Sequence, residues 1–370
     1  MSMRRWVSLV FVVAVASCAS DKPTPGEVAA GDCKAHGGVP YGSSTEDLVC
    51  LDGAPVDRQD FGATTIDTDQ SPLCDATLSG PSGCVIAATE IVVDGRLRAT
   101  GDRPLILAAD SIEVTATGVI DVAGHFGDPA PGAGAGAPEC EEREAPTPFE
   151  ACGAGGSFGG AGGNKLSAPA GCFTESPTIP TTLRGGCRGH RGVTGGGPGG
   201  LGGEGGGAVL LIARTLTVDG TINASGAGGA GAGAASIHGG NGGGGGGAGG
   251  MIALDARRIA GAGVILANGG GGGAGEGQVM MASSPGSDPD EATPLVPAAG
   301  GPGVECCGFP SPRAGGGSGA AGASHDGLDG DKAPPPPVHA DFSRGGGGGS
   351  VGVIRFYDEP FTTGTVSPSP

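Results

Sequence analysis

Val209-Leu210-Leu211-Ile212, then Leu216-x-Val218, then Asp219-Gly220, then Ile222-x-Ala224-x-Gly226: this stretch decides the fold. It packs a continuous apolar run, an alternating segment, a turn and a second alternating segment into about twenty residues. The same order recurs upstream, first as Val85-Ile86-Ala87-Ala88, Ile91-x-Val93, Asp94-Gly95, Leu97-x-Ala99-x-Gly101. It recurs again as Leu105-Ile106-Leu107-Ala108, Ile112-x-Val114, Gly118, Ile120-x-Val122-x-Gly124. A fourth copy, Met251-Ile252-Ala253-Leu254, Ile259, Gly263, Ile265-x-Ala267-x-Gly269, keeps the spacing with Gly261 where the others have Val, and Val351–Phe356 repeats only the opening.

Period-two alternation puts Ile91, Val93, Leu97 and Ala99, with their equivalents, on one face, so no copy can bury its apolar side alone. Stacking the copies solves this. The expectation is a mostly β protein built on a short parallel β-solenoid of about five coils, each rising about 4.8 Å with like side chains over like. A small antiparallel sheet of the same segments is the alternative. The recurrence of the corner glycines in all four full copies favours the solenoid. On this reading Ile222 points inward between Ile120 and Ile265, and Asn223 points outward.

Three long insertions, 125–207, 227–250 and 270–350, separate the copies and hold most of the 83 glycines. Within them glycine often comes as Gly-Gly-X, as in Gly159-Gly160-Ala161-Gly162-Gly163-Asn164. Three residues per turn is the polyproline II period, which would line up the X residues and leave bare backbone edges for neighbouring chains, giving polyglycine II packing. Flexible loops are the default expectation, since ordering each glycine costs about 1–2 kcal/mol of backbone entropy with no side chain to bury. These stretches resemble the glycine-rich domains of bacterial surface proteins such as the PE-PGRS group.

With 83 Gly, 30 Pro and only 4% aromatic residues among 370, the chain has too little bulky side chain for one large hydrophobic core. Collagen is excluded, because no strict Gly-X-Y period exists. The formal charge of −18 and the absence of a basic run exclude nucleic acid as a partner.

Arg4 and Arg5 precede an apolar run from Trp6 to Ala16, too short to span a bilayer and laid out as a secretory signal. The run ends Val15-Ala16-Ser17-Cys18, which resembles the lipobox of bacterial lipoproteins. The resemblance implies cleavage after residue 17, lipidation of Cys18, an exported protein anchored to the membrane, and, with Ala19 following, sorting to the outer membrane or cell surface. Residues 18–31 then read as anchor and flexible tether, 32–80 as a small Cys-bearing region, 81–357 as the solenoid with its insertions, and 358–370 as a tail. Removing Cys18 from the eleven cysteines leaves ten, at 33, 50, 74, 84, 140, 152, 172, 187, 306 and 307, an even number suited to five disulfides in an oxidising compartment. Cys33 with Cys50 and Cys74 with Cys84 are the simplest pairings. The adjacent Cys306 and Cys307 are expected to bridge outward to two partners, and disulfides among Cys140, Cys152, Cys172 and Cys187 would order part of the first insertion. No C-x₂-C spacing supports zinc.

Catalytic patterns are weak. Ser324-His325-Asp326 has triad residue types, but consecutive side chains diverge. Lys165 lacks P-loop company, with Asn164 and Leu166 at the wrong positions. Gly159–Ser167 resembles the calcium-binding nonapeptide of RTX toxins, yet it occurs once and Asn164 replaces the ligand Asp. Asp326, Asp329 and Asp331 lack EF-hand spacing. The six His are dispersed with no H-x₃-H pair. Parallel β-helices include polysaccharide lyases and hydrolases, but the outward positions Thr89, Arg98, Glu113 and Asn223 hold no recognisable carboxylate pair. The expectation is therefore a surface lipoprotein without catalysis or cofactor, structural or adhesive, contacting polysaccharide or other surface proteins. The alternatives are a carbohydrate-active β-helix enzyme of the envelope and a calcium-dependent surface binding module.

Overall fold

The computed structural model describes residues 25–43, 48–55, 57–74, 77–136, 140, 153–163, 180, 182–192, 198–233, 241–275, 283–303, 315–331, 344–358 and 360–369. Among these the chain is mostly β, with one helix, α1 (Pro25–Ala35). Residues 25–31, expected to be flexible tether, are thus helical. Pro25 suits the first turn, and the helix ends where Gly37, at φ 83°, donates back to the Lys34 carbonyl. A small antiparallel sheet follows, β1 (Val39–Tyr41), β2 (Val49–Leu51) and β5 (Thr77–Ser79) in that order, with β2 fastened to α1 by the Cys33–Cys50 disulfide.

Two parallel sheets form the body. The first runs β15 (Val353–Phe356), β12 (Met251–Ala256), β10 (Ala208–Val218), β8 (Leu105–Val114), β6 (Cys84–Val93), β3 (Arg58–Phe61), with β13 (Ile259–Ala260) also against β10. The second runs β16 (Thr365–Ser367), β14 (Val264–Leu266), β11 (Thr221–Asn223), β9 (Val119–Asp121), β7 (Arg96–Thr100), β4 (Thr64–Asp67). Every strand pair in both sheets is parallel, which removes the antiparallel alternative for these segments.

Register follows the sequence repeat. Leu97 lies over Ile120, Ile120 over Ile222, Ile222 over Ile265 and Ile265 over Val366. In the first sheet Ile91, Ile112, Leu216 and Ile259 line up in the same way. These inward residues of both sheets join in one apolar cluster. Sequence repeats stop short of the ladder's ends, which extend to β3 and β4 before residue 81 and to β16 in the expected tail. At those ends Phe61 and Phe361 close the cluster, both buried.

The continuous apolar runs have their own cause. Along β8 and β10 the inward residues Leu105, Leu107, Val209 and Leu211 alternate with Ile106, Ala108, Leu210 and Ile212, which belong to a second buried cluster on the other side of the sheet. Val49 and Leu51 of β2, with Phe158, Leu183 and Ala248, cover that side. A strand buried on both faces has no polar face to show, so alternation disappears there.

The described parts of the insertions are ordered, against the expectation of flexible loops. From 243 to 250 every backbone N–H is donated outside its own segment, at 2.7 to 3.0 Å, in three directions with a period of three. Gly243, Gly246 and Gly249 donate to Arg344, Gly347 and Ser350, and Gly244, Gly247 and Gly250 donate to Ala230, Ala227 and Ala224. Gly245 and Ala248 donate to His190 and Cys187. Partner numbers rise in the first series and fall in the other two, so one neighbour is parallel and two are antiparallel. The segment at 269–274 repeats the pattern, giving N–H bonds to 284–287, 317–320 and 244–247. Glycine permits this closeness: a Cβ on Gly246 would meet the Gly270 carbonyl inside the 3.0 Å that real Cβ atoms respect. The lost side-chain burial is offset by paired backbone groups.

Candidate functional site

The second sheet turns one column of side chains away from the core, Arg98 of β7, Asp121 of β9, Asn223 of β11 and Leu266 of β14, in direct register. Asp121 is 1% exposed and would be an expensive buried charge alone. Around it gather Arg96 Nη1 at 2.7 Å, Arg98 Nη1 at 3.3 Å and His125 Nε2 at 3.0 Å. The Ala123 N–H also donates to it at 3.1 Å. Arg96 bridges further, to both carboxylate oxygens of Glu291 at 2.9 and 3.1 Å, and Arg98 reaches Asp128 at 3.4 Å. Asp288 faces the far side of His125 at 3.8 Å and accepts the N–H groups of Phe126 and Gly228.

These contacts fix the protonation states. Burial would raise the Asp121 carboxyl, but hydrogen bonding to His125, with the Arg98 and Arg96 guanidiniums, holds it at about 2. His125 is raised to about 9, first by its hydrogen bond to Asp121 and then by Asp288, against the effect of burial. Burial also pushes Asp288 up, and the bonds from His125, Gly228 and Phe126 more than reverse this. Near neutral pH, Asp121 and Asp288 are therefore ionised and His125 is an imidazolium. What the cluster does is fasten the loop carrying Asp288 and Glu291, from the third insertion, to the outer face of the second sheet.

Asn223 takes part in this fastening, contrary to its expected solvent-facing role. It is 3% exposed, donates to Glu291 at 3.0 Å and accepts from the Ser225 N–H at 2.9 Å. Beside the cluster lies a cleft of about 420 Å³ lined by His125, Phe126, Asp128, Leu201 and the paired Arg188 and Glu204, 3.2 Å apart.

Other residues singled out in the sequence fall as follows. Disulfides join Cys33 to Cys50, Cys74 to Cys84 and Cys140 to Cys187. Cys18, Cys152, Cys172, Cys306 and Cys307 lie outside the described residues, as do Asn164, Lys165 and Leu166. Ser324-His325-Asp326 sits in the glycine-rich lobe, where Asp326 Oδ1 accepts the Ala161 N–H at 2.7 Å and the His325 carbonyl accepts from Val351. Among the described residues no three His, Cys, Asp or Glu side chains gather as a metal site, and no helix is long and apolar enough to cross a membrane. Sequence reasoning named Arg98 and Asn223 but missed Arg96, Asp121, His125, Asp288 and Glu291. Asp121 was readable, as the acid in the outward column directly between Arg98 and Asn223. No family model, curated protein or solved structure matches the chain.

Proposed function

We propose that this chain is an exported, lipid-anchored envelope protein, held at the outer membrane or cell surface through Cys18, whose folded part is a non-catalytic scaffold for structural or adhesive contact. In this reading the paired parallel sheets are a short β-solenoid, and the glycine-rich lobe is a polyglycine II bundle mounted on it. The observation that carries the proposal is the three-way hydrogen bonding of 243–250. A lobe held by backbone bonds in three directions is stiff and presents fixed X side chains along its outer segments, as a contact surface requires. Three disulfides agree with an oxidising compartment. The Asp121 cluster supports the non-catalytic part, since its charges are spent in tying lobe to spine.

Membrane fractionation of cells making the full chain tests the anchoring half. Wild type is expected with the membranes and Cys18→Ala in the soluble exported fraction. Incubating the purified full chain with a panel of polysaccharides tests the other half, with no release of reducing or unsaturated ends expected. Release abolished by one Asp or Glu substitution would instead make the chain an enzyme.

A further inference from the structure

A second recess lies on the opposite side of the body, where the β1 strand and the turn after it overhang the first sheet. Its volume is about 310 Å³, within the range of ligand clefts. Ile212 forms the apolar floor, with the backbone of its neighbours Ala109 and Ala213 beside it, and Tyr41 forms one wall, packed against the cluster that includes Ile212. The rim is charged: Asp110, Arg214, Asp255, Arg257 and Asp358. Arg214 and Arg257 follow Ala213 and Ala256, which are register partners, so the two guanidiniums stand on neighbouring strands.

These polar groups are not equally committed. Asp255, 3% exposed, accepts Ser43 Oγ at 2.7 Å and the Ser43 N–H at 2.5 Å, so it holds the overhanging turn in place. Arg214 and Asp110 are 3.6 Å apart and largely exposed, a pair that water or a ligand opens at little cost. Arg257 and Asp358 form no ion pair or hydrogen bond among the described residues. The recess thus has free donors and acceptors around an apolar floor and an aromatic wall.

We propose that this recess binds a short stretch of an uncharged or amino-sugar polysaccharide. An anion is disfavoured by chemistry, because three carboxylates face two guanidiniums. A bare metal ion is disfavoured because those carboxylates do not converge. Vicinal hydroxyls suit a rim of mixed charge, donating to Asp110 and Asp358 while accepting from Arg214 and Arg257. A pyranose ring has apolar C–H faces for the Tyr41 ring and the floor. The Tyr41 phenol, raised above its ordinary value by burial and by Asp110, stays neutral and adds one more donor. The proposal rests on the adhesive reading above and supplies its ligand class.

Calorimetric titration of the full chain in detergent with cellohexaose, chitohexaose and hexagalacturonate decides it. Cellohexaose or chitohexaose is expected to bind, with Tyr41→Ala and Arg257→Ala each weakening the affinity about tenfold and Tyr41→Phe changing it about twofold. Arg257 is exposed, so its variant reports on the ligand without a folding defect, and circular dichroism checks Tyr41→Ala. No binding to any probe, or affinity unchanged by both alanine variants, overturns the proposal. Binding of hexagalacturonate alone, lost in salt, overturns it in favour of an anion site. Membrane anchoring of wild type alongside failed binding removes this inference and leaves the scaffold reading standing.

Discussion

Gly246→Ala puts the backbone-bonded lobe to the test. Gly246 sits mid-segment, with its N–H on the Gly347 carbonyl at 2.9 Å and its Cα face on the Gly270 carbonyl. An added methyl has nowhere to go, since the obstructing atoms are backbone of a segment itself bonded on several sides. Pushing the two segments apart strains the bonds Gly246 to Gly347, Gly270 to Gly247 and Gly349 to Gly270. Three bonds at roughly 1 kcal/mol net each, reduced by partial relaxation, put the cost at about 2–4 kcal/mol. The control is Gly31→Ala in α1, where the site is exposed, a Cβ meets nothing within 4 Å, and helix propensity predicts a gain of up to about 1 kcal/mol. Hydrogen exchange read by mass spectrometry is the assay, because opening of the lobe need not coincide with unfolding of the spine. Amides of 243–250, 269–274 and 345–352 are expected to lose protection by about one to three orders of magnitude in Gly246→Ala, while β8 and β10 keep theirs. Unchanged protection in the lobe, or equal effects of the two substitutions, would refute close backbone packing.

The spine offers a second test. Ile222→Ala, at a fully buried position between Ile120 and Ile265, should cost about 2–4 kcal/mol and lower the melting temperature of β8–β12, whereas Thr221→Ala, half-buried in the same strand, should cost under about 1 kcal/mol. For the ionic fastening, His125 is raised from 6.5 to about 9, so its contribution is complete below pH 6.5 and disappears as pH climbs through 9. That shift corresponds to ~3 kcal/mol at 1.36 kcal/mol per unit, reduced to about 1–2 kcal/mol because a third of the side chain is exposed. Melting curves at pH 6 and pH 10 should differ by more in wild type than in His125→Gln. Asp121, lowered to about 2, works from the other side: its stabilisation is present above 3.8 and is lost as pH falls through 2, detectable as acid release of the 288–291 loop by proteolysis. Asn223→Asp sets a third carboxylate beside Glu291 and Asp121, and should destabilise by about 1–3 kcal/mol at neutral pH and less under acid conditions that protonate it.

Stacking like over like writes itself into sequence, which is why Leu97, Ile120, Ile222 and Ile265 could be aligned by eye and then met in the ladder. The end strands were hidden for the complementary reason. Arg58-Gln59-Asp60-Phe61 has only one neighbour in its sheet and keeps charge on an otherwise open edge, so only Phe61 bears the mark of the core. Glycine segments showed their period but not their partners: with no side chain, nothing in 243–250 marks that 187–190, 224–230 and 344–350 surround it. The charged cluster divides along the same line. Arg98, Asp121 and Asn223 occupy a column fixed by the repeat, while Asp288 and Glu291 arrive from an insertion without periodicity and could not be assigned to that column in advance.

A lobe with little apolar filling has a thermal consequence. Heat capacity rises on unfolding by about 0.45 cal/K/mol for each Å² of apolar surface exposed and falls by about 0.26 for each Å² of polar surface. Unfolding the spine exposes Ile, Leu and Val and should carry the usual large positive increment. Releasing the glycine segments exposes mainly amide groups, so their increment is small or negative and their enthalpy of opening changes little with temperature. Cooling weakens hydrophobic burial but leaves these backbone bonds intact. The two halves of one chain therefore follow differently curved stability profiles, and near the freezing point of water the lobe keeps its hold while the spine's margin shrinks.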